Sequence, residues 1–415
     1  MRDLTQGSIT GHLLSMAGFI AVGLIFQTMY FIVDLYFVSR LGNAAVAGVS
    51  AAGNEFFLAL AAAQLIGIGV MALVSQAMGR KESGEANLFA DQALSMSLMF
   101  SALMGVLGYG FGGMFLDALT ADAESAALGR AYLYAFIPNL MVMFPANTMF
   151  AALRGAGVVM PAMVLQTITL VLNAVLAPVL IAGWGTGVAL GAAGAGLASS
   201  IAAGVGIVAL VIVFPRVQQV MRLRWLALKP RFAVWARIAF IGLPSALEFL
   251  LMFVIFGVIY FAIRDFGASA QAGFGIGGRI MQSIFLPAMA VAFAAAPIAG
   301  QNFGAGAYGR VRETFRQTAL IGSGIMITLS ILCHVAPALL ARPFTDDPEV
   351  IAVTTDYLQI TSWNFVASGI VMAASSLFQG MGDTRPSLLA SASRLFTVAL
   401  PAAWLSFQPW MELKH

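Results

Sequence analysis

The sequence has little charge and almost no cysteine or histidine. Only 9% of its 415 residues are Asp, Glu, Lys or Arg, whereas charged residues make up about 25% of an average soluble domain. One cysteine cannot form an intrachain disulfide, and with three scattered histidines it does not predict a zinc site. No G-x-x-x-x-G-K-[ST] phosphate loop and no paired catalytic side chains are present, so ATP hydrolysis and enzymatic activity are not predicted, nor is a cofactor.

Hydrophobic residues are abundant instead, at 60% of the chain, and the mean hydropathy is +0.91. A helix needs about 20 apolar residues to cross a bilayer, and eleven runs reach that length, whereas barrel strands are short and alternating. The runs predict an all-α integral membrane protein. They lie at about 13–37, 51–77, 93–111, 131–153, 161–183, 190–214, 238–263, 276–299, 317–340, 357–378 and 386–408.

The basic residues predict the orientation of these spans. If the N-terminus is cytoplasmic, fourteen Lys and Arg residues lie in inside segments and five in outside segments, which is the bias of the positive-inside rule. We therefore expect a multi-pass protein of the bacterial inner membrane with a cytoplasmic N-terminus. Since the basic residues lie in short loops and form no single patch, no nucleic-acid partner is predicted.

An internal repeat relates the two halves of the chain at a constant offset of 225 residues. It predicts two lobes of six helices, related by an axis along the membrane normal, as in transporters built from parallel repeats. The matching positions are Leu41-Gly42 with Phe266-Gly267, Ala47-Gly48 with Ala272-Gly273, Gln76 and Gly79 with Gln301 and Gly304, Thr120, Asp122, Glu124 and Tyr132 with Thr345, Asp347, Glu349 and Tyr357, and Gly155, Gly157 and Pro161 with Gly380, Gly382 and Pro386.

The repeat also predicts the domain organisation. Residues 1–214 form an N-terminal lobe with spans 1–6, residues 215–237 a basic cytoplasmic linker, and residues 238–415 a C-terminal lobe with spans 7–11. The sixth span should recur at 415–439, so we expect the twelfth helix to be absent from this chain. A duplicated bundle is typical of secondary transporters.

Acidic residues within spans are the first candidates for function, because an ionisable group at that depth costs several kcal/mol unless it is paired or hydrated. Of eighteen acids, only Asp34, Glu55 and Glu248 fall within spans. Gln27, Tyr30 and Asp34 are spaced i, i+3, i+7 and therefore share one helix face. This polar stripe predicts that Asp34 faces the bundle or a cavity, where it either carries H⁺ or ligates Na⁺.

The other two acids have different interpretations. Glu55 lies near the outer end of the second span, where we expect it to reach interfacial water and to be structural. Glu248 lies in the seventh span and aligns with Gly23 at the repeat offset, so it has no acidic counterpart in the first lobe. A structural and a functional role remain open for Glu248. Asn147 and Asn173, in the fourth and fifth spans, are the polar residues that we expect near Asp34.

Several segments together resemble the multidrug and toxic compound extrusion (MATE) family. They are VDLYFVSRLG with the first-span acid, the SQAMGR and GQNFGAG loops, and the ALRGAGVVMP and LFQGMGDTRP turns. The resemblance covers essentially the whole chain. It implies two six-helix lobes that export cationic or amphiphilic compounds in exchange for H⁺ or Na⁺ by alternating access, in a protein expected to be monomeric.

The resemblance also implies roles for individual residues. Asp34 matches the family's first-span acid, and Glu248 resembles the acid in the seventh span of the NorM-like branch. These two acids and Asn173 are the predicted ion-coupling residues. The predicted substrate-cavity residues are Gln27, Tyr30 and Asn147.

This sequence departs from the family at two positions that bear on the coupling ion. The fifth-span segment LNAVLAP has Ala177 where DinF-like members carry an Asp, and the tenth span lacks the acid of NorM-like members. Each lobe thus retains one acid. Because one carboxylate can carry a proton, whereas a hard cation needs several oxygen ligands, the sequence favours H⁺ over Na⁺.

Two other functions remain as alternatives. One is a flippase for lipid-linked sugars of the same superfamily, although the only cations within spans are Arg279 and Arg394. The other is an inactive, truncated paralogue without transport activity.

Overall fold

The computed structural model describes residues 3–120, 122–217, 229–263, 266–405 and 408. Within α1, the side chains of residues 30, 31, 34 and 35 also lie outside this description. The described chain is helical. Its helices are α1 Ile9–Ser39, α2 Asn43–Gly79, α3 Ser83–Leu119, α4 Ala123–Gly155, α5 Met160–Ala182, α6 Gly191–Val217, α7 Phe232–Ala262, α8 Ala268–Gly304, α9 Tyr308–Val335, α10 Pro337–Ala341, α11 Pro348–Ser362, α12 Phe365–Met381, α13 Arg385–Arg394, a π-helix Leu395–Ala399, and α14 Leu400–Leu405.

The predicted apolar runs are confirmed as helical, although three of them are not single helices. The run at 317–340 passes from α9 into α10, and the run at 386–408 covers α13, the π-helix and α14 and ends beyond Leu405, where residues 406 and 407 are outside the described part of the chain. Ten helical segments among the described residues are long and apolar enough to cross a membrane, and an eleventh is a bent pair. The run at 357–378, predicted as one span, is broken between α11 and α12, which meet at 58°. The hydroxyl of Ser330 donates to the carbonyl of Ser362 at 3.1 Å. This carbonyl is thereby engaged by another helix at the break, and side-chain bonds to the backbone are a common cause of helix bending.

The helices form two compact units. The first comprises residues 1–4 and 22–242, and the second comprises residues 5–21 and 243–415. Helices α1 and α7 therefore each divide between the units, near residues 21 and 242. Of the predicted linker at 215–237, residues 218–228 lie outside the described part of the chain. Its first residues, 215–217, belong to α6, and its last residues belong to α7.

The repeat is reproduced in the bounds of the helices. Helix α2 begins at 43 and ends at 79, and α8 begins at 268 and ends at 304, so both bounds differ by 225. The residue before each helix is a glycine with positive φ, 103° at Gly42 and 98° at Gly267. Such a backbone conformation is readily available only to glycine, which explains why both copies carry glycine there.

The repeat is also reproduced in the packing between helices. A Cβ on Gly155 of α4 would lie 2.7 Å from the carbonyl oxygen of Met71 of α2. In the second unit, a Cβ on Gly380 would overlap the carbonyl oxygen of Ala296. Gly155 and Gly380 are 225 residues apart, and so are Met71 and Ala296. Small residues that let two backbones approach are typical of helix packing in membranes.

Each unit contains a helix capped by an aspartate at the predicted repeat position. Asp122 precedes α4 and accepts from the backbone amide of Ser125 at 2.7 Å, while Asp347 precedes α11 and accepts from the amide of Glu349 at 2.9 Å. The bond from the Ser125 amide, together with one from its hydroxyl, holds the pKa of Asp122 below its usual range. An anion at a helix N-terminus satisfies an otherwise free N–H group.

Asp122→Asn should therefore change the pH dependence of stability. A carboxyl whose pKa is lower in the folded state stabilises the fold above its unfolded-state pKa of about 3.9. This contribution is lost as the pH falls through the folded-state pKa. In detergent melts, we expect a higher Tm for the wild type than for Asp122→Asn at pH 7, and a difference that shrinks toward pH 3. Asp346→Asn, an exposed acid outside the cap, is the control; a difference that does not vary with pH would contradict the interpretation.

Candidate ion and substrate sites

The predicted stripe on α1 lies within one continuous helix, as its spacing requires. Residues 27, 30 and 34 all have helical backbone in α1. The side chain of Gln27 is exposed, while those of Tyr30 and Asp34 lie outside the described part of the chain. The structure therefore shows that the backbone of all three residues is helical, and the role of Asp34 stays a prediction.

Helix α5 lies beside α1 within the first unit. A Cβ on Gly23 of α1 would lie 2.5 Å from Oε1 of Gln166 on α5, so the Gln166 amide fits against a position without a side chain. Gly23 and Gln27 are four residues apart and share a face of α1, and Gln166 and Asn173 are seven apart and share a face of α5. The first and fifth spans, α1 and α5, run in the same direction if successive spans alternate in direction. Asn173, seven residues after Gln166, then lies at the same depth as residue 30, seven residues after Gly23.

Asn173 is completely buried, with 0% of its surface exposed. Its Nδ2 donates to the hydroxyl of Ser199 on α6 at 3.3 Å. Its Oδ1 has no hydrogen-bond donor among the described residues. A buried acceptor without a donor costs about 1–3 kcal/mol, so this oxygen is suited to a donor such as a protonated carboxyl group or to a cation.

Asn147 joins a different pair of helices. Its Nδ2 donates to the carbonyl of Ala63 on α2 at 3.0 Å. Gly67 leaves room for this amide, since a Cβ there would lie 2.7 Å from Nδ2. The described hydrogen bond of Asn147 thus ties α4 to α2, whereas that of Asn173 ties α5 to α6.

Glu55 is buried between helices, and the expectation that it reaches interfacial water is wrong. Only 7% of its surface is exposed, and its Oε2 has no hydrogen-bond partner in the described part of the chain. The reason is the close approach of α3, where Gly112 lacks a side chain: a Cβ there would lie 3.2 Å from Oε1 of Glu55. This packing agrees with a structural interpretation of Glu55.

Glu248 lies in the second unit and has one hydrogen-bond partner on α13 among the described residues. The hydroxyl of Ser391 donates to Glu248 Oε1 at 3.0 Å. The guanidinium of Arg394 is near enough to attract the carboxylate electrostatically. The predicted ion-coupling residues Asn173 and Glu248 therefore belong to different units, and each has its own partners.

Sequence reasoning missed the partners Gln166, Ser199 and Ser391. Serine and glutamine within apolar spans carry no distinctive signal, because both also occur in helix packing. Arg394 was recognised as a cation within a span, but its proximity to Glu248 joins residues 146 positions apart. Only the packing of α7 against α13 brings them together.

Comparison with known proteins gives the family. The MatE family model matches residues 20–179 and 244–405, which is one match for each half of the repeat and more than half of the chain. The protein belongs to the MatE family. It is thus a multi-pass membrane protein of a transporter family, with the two-lobe organisation that the repeat predicted.

Several MatE proteins are similar over most of their length. The FAD transporter of Shewanella oneidensis is 25% identical over 399 residues, covering 92% of this chain and 85% of that protein. The probable multidrug resistance protein NorM of Thermotoga maritima is 25% identical over 397 residues, with 92% and 82% covered. The multidrug export protein MepA of Staphylococcus haemolyticus is 23% identical over 387 residues, with 92% and 84% covered.

Solved transporter structures share the fold. The Vibrio cholerae MATE transporter VcmN in its bent form superimposes with a TM-score of 0.88 at 23% identity, covering 96% of this chain and 89% of that one. A MOP superfamily transporter from Pyrococcus furiosus, whose binding pocket is described as having reverse polarity, gives a TM-score of 0.85 at 21% identity, with 97% and 93% covered. At these identities the likeness concerns the fold alone.

Proposed function

We propose that this protein exports cationic or amphiphilic compounds from the cell in exchange for H⁺, by alternating access of its two lobes. Relatives named as multidrug export and multidrug resistance proteins support the substrate class. The distribution of basic residues supports a plasma-membrane location with a cytoplasmic N-terminus.

The observation that carries the proposal is the buried Oδ1 of Asn173, which has no hydrogen-bond donor among the residues that the structure describes. It lies on the helix next to α1, which carries Asp34. A neutral, protonated Asp34 carboxyl could donate to such an oxygen, whereas a carboxylate could not. Proton binding would then be favoured in one conformation of the lobe and release in the other.

The choice of H⁺ over Na⁺ depends on the small number of oxygen ligands. Ala177 lies one turn beyond Asn173 on α5 and is fully buried, so it contributes a methyl group where an additional carboxylate would be useful to a metal ion. Hard cations bind best to several converging oxygens. A single titrating carboxylate suffices for H⁺.

Efflux of ethidium from cells tests the proposal. Cells that express the protein should lose accumulated ethidium faster than cells with the empty vector, and a protonophore should abolish the difference. Equal efflux in both would contradict export of organic cations.

Asn173→Leu tests whether the Asn173 side chain takes part in transport or only packs between helices. Leucine has a similar volume but cannot accept a hydrogen bond, so we expect ethidium efflux to fall at least about tenfold if one hydrogen bond to a charged or protonating group is lost. Ser199→Ala is the matched control, because it removes the neighbouring hydroxyl and retains Oδ1. Unchanged efflux in Asn173→Leu, with normal expression, would assign Asn173 to packing.

Export of an anionic compound is the second candidate. A relative is named an FAD transporter, and Arg279, within α8, has an exposed side chain with no ion-pair partner among the described residues. A guanidinium is suited to carboxylate or phosphate groups. FAD uptake into inverted vesicles would distinguish this candidate, since organic-cation export predicts none.

A further inference from the structure

Helices α1 and α7 each begin in one unit and continue in the other. The first part of α1, together with residues 5–8 before it, belongs to the second unit, and α1 continues in the first unit from residue 22. The first part of α7, up to residue 242, belongs to the first unit, and α7 continues in the second unit. The contacts at the start of each helix therefore determine which unit that start follows.

Arg310 holds the start of α1 on the turn between α8 and α9, within the second unit. Both Nη1 and Nη2 of its guanidinium donate to the carbonyl of Gly7 at 3.1 Å, two residues before α1 begins. Its Nε donates to Oδ1 of Asn302 at 2.8 Å. Asn302 is completely buried, and its Nδ2 donates to the carbonyl of Ile298. The Asn302 amide is thus fixed by α8 and in turn orients the guanidinium.

The segment that Arg310 holds has a defined shape. Gly7 has a φ of 77°, a conformation readily available only to glycine. The carbonyl of Gln6 lies 2.7 Å from Nε2 of His12, while the next carbonyl, that of Gly7, accepts from Arg310. Oγ of Ser8 accepts from a backbone amide in the first turn of α1 at 3.2 Å. Because these bonds order the segment, a donor on one of its carbonyls holds the whole start of α1.

Gln92 of α3 holds the start of α7 in the first unit. Its Nε2 donates to the carbonyl of Lys229 at 2.9 Å, and its Oε1 accepts from the amide of Arg231 at 2.7 Å. Helix α7 begins at the next residue, Phe232. One side chain thus satisfies both a carbonyl and an amide of the backbone that leads into α7, and such groups require partners when they leave water.

The face of α3 that carries Gln92 makes further contacts with α7. Glu85, Phe89 and Gln92 share this face, since their spacing is i, i+4, i+7. The guanidinium of Arg237 on α7 lies 3.8 Å from Oε1 of Glu85 and 5.0 Å from the centre of the Phe89 ring. At the repeat offset of 225, Glu85 corresponds to Arg310. Both units therefore use the first turn of the same repeat helix, α3 or α9, to bind the start of a helix that continues in the other unit.

We propose that Arg310 and Gln92 are positioning residues for transport. Each fixes the start of a helix that passes from one unit into the other, so that α1 and α7 transmit a movement of one unit to the other. The part of α1 in the first unit carries Asp34, the predicted coupling acid, so Arg310 acts on that acid through the helix. This inference rests on the proposed exchange of cations for H⁺ by alternating access.

Hydrogen–deuterium exchange of the purified full-length chain tests this transmission without a substrate. Arg310→Met removes the donors and keeps a long unbranched side chain. Exchange in residues 3–21 should become at least about tenfold faster, the factor expected when a hydrogen bond from a charged group is lost. It should also become faster in residues 22–39, beyond the boundary between the units. Arg312→Met is the control, because Arg312 is exposed on the same helix and has no hydrogen bond or ion pair among the described residues; it should change neither range.

Gln92→Met is the corresponding variant for α7. Exchange should become faster both in residues 229–242 and in residues 243–262, where α7 belongs to the second unit. The repeat supplies the matched control, Gln317→Met. Gln317 is the counterpart of Gln92, and its Nε2 donates to Glu313 of its own helix at 2.6 Å. This variant should leave exchange in α7 unchanged.

Transport measurements show whether the two residues act in the exchange reaction. Ethidium efflux should fall at least about tenfold in Arg310→Met and in Gln92→Met. Arg310→Lys should recover part of the loss, because lysine can donate to Gly7 but lacks the planar fork that also reaches Asn302. In proteoliposomes, the number of H⁺ taken up per cation released should fall in Arg310→Met, whereas a merely structural defect lowers both fluxes in proportion. Variants are compared only after gel filtration shows a monodisperse protein, and Arg310→Lys replaces Arg310→Met if the latter fails this test.

The possible outcomes are distinct. Faster exchange that stops at residue 21 in the Arg310 variant would overturn the inference, as would unchanged efflux or a proportionate fall of both fluxes. If the wild type exports neither ethidium nor tetraphenylphosphonium, cation export fails as the function. Faster exchange beyond residues 21 and 242 would then still support transmission through α1 and α7, and exchange confined to the first part of each helix would overturn it.

Discussion

Asp34→Asn should reduce H⁺-driven efflux at least about 100-fold while leaving the protein folded. Asn has nearly the same shape as Asp but cannot bind or release a proton, and an ionisable residue within a span is the group most suited to coupling. The first unit offers no equivalent acid on α5, where Ala177 stands. Loss of one carboxylate therefore removes the whole coupling capacity of this lobe.

The measurement is ethidium efflux from vesicles under an imposed pH gradient, with protein levels matched by immunoblot. Glu55→Gln is the matched control, because Glu55 is another acid within the spans of the first unit and is packed beneath Gly112. We expect efflux in this variant to stay within about twofold of the wild type. The reverse result, with efflux lost in Glu55→Gln and retained in Asp34→Asn, would move coupling to Glu55.

Gly242→Ala should be strongly destabilising, although it adds only one methyl group. A Cβ at residue 242 of α7 would overlap the carbonyl oxygen of Leu65 on α2, and one at Gly69 of α2 would overlap that of Ile238 on α7. Two reciprocal backbone contacts thus fix the first part of α7 on α2, within the first unit. Since backbone atoms cannot yield as a flexible side chain does, we expect a cost of about 3 kcal/mol.

The Tm in detergent and the yield of monodisperse protein measure this effect. Gly257→Ala is the control on the same helix, because a Cβ there would meet no atom within 4 Å. Alanine favours helix over glycine, so Gly257→Ala should not lower the Tm. Equal melting of the two variants would show that α7 can shift on α2 without cost.

Much of the fold could be predicted from the sequence, because the bilayer limits a low-charge chain to long helices. The eleven runs and the repeat at 225 residues together anticipated α2 and α8 with the same offset at both ends. The break in the tenth span was missed. At the break, the carbonyl of Ser362 accepts a hydrogen bond from Ser330, a residue 32 positions away, and hydropathy does not report such a contact.

The candidate site was predictable in its residue types but not in its partners. Helical spacing predicted the stripe of Gln27, Tyr30 and Asp34, and the continuous helix α1 meets that requirement. It could not predict that Ser199 would bind Asn173 or that Arg394 would lie near Glu248. These pairs depend on which helix faces pack together, and two weakly polar faces look alike in sequence.

Proton movement in proteoliposomes tests the central claim most directly. The purified protein is reconstituted with a pH-sensitive dye inside, and an outward-directed tetraphenylphosphonium gradient is imposed in Na⁺-free buffer. H⁺ exchange predicts acidification of the lumen by the wild type, because cations leaving draw protons in, and no acidification by Asp34→Asn. Cation movement that requires Na⁺ and leaves the internal pH unchanged would contradict the account.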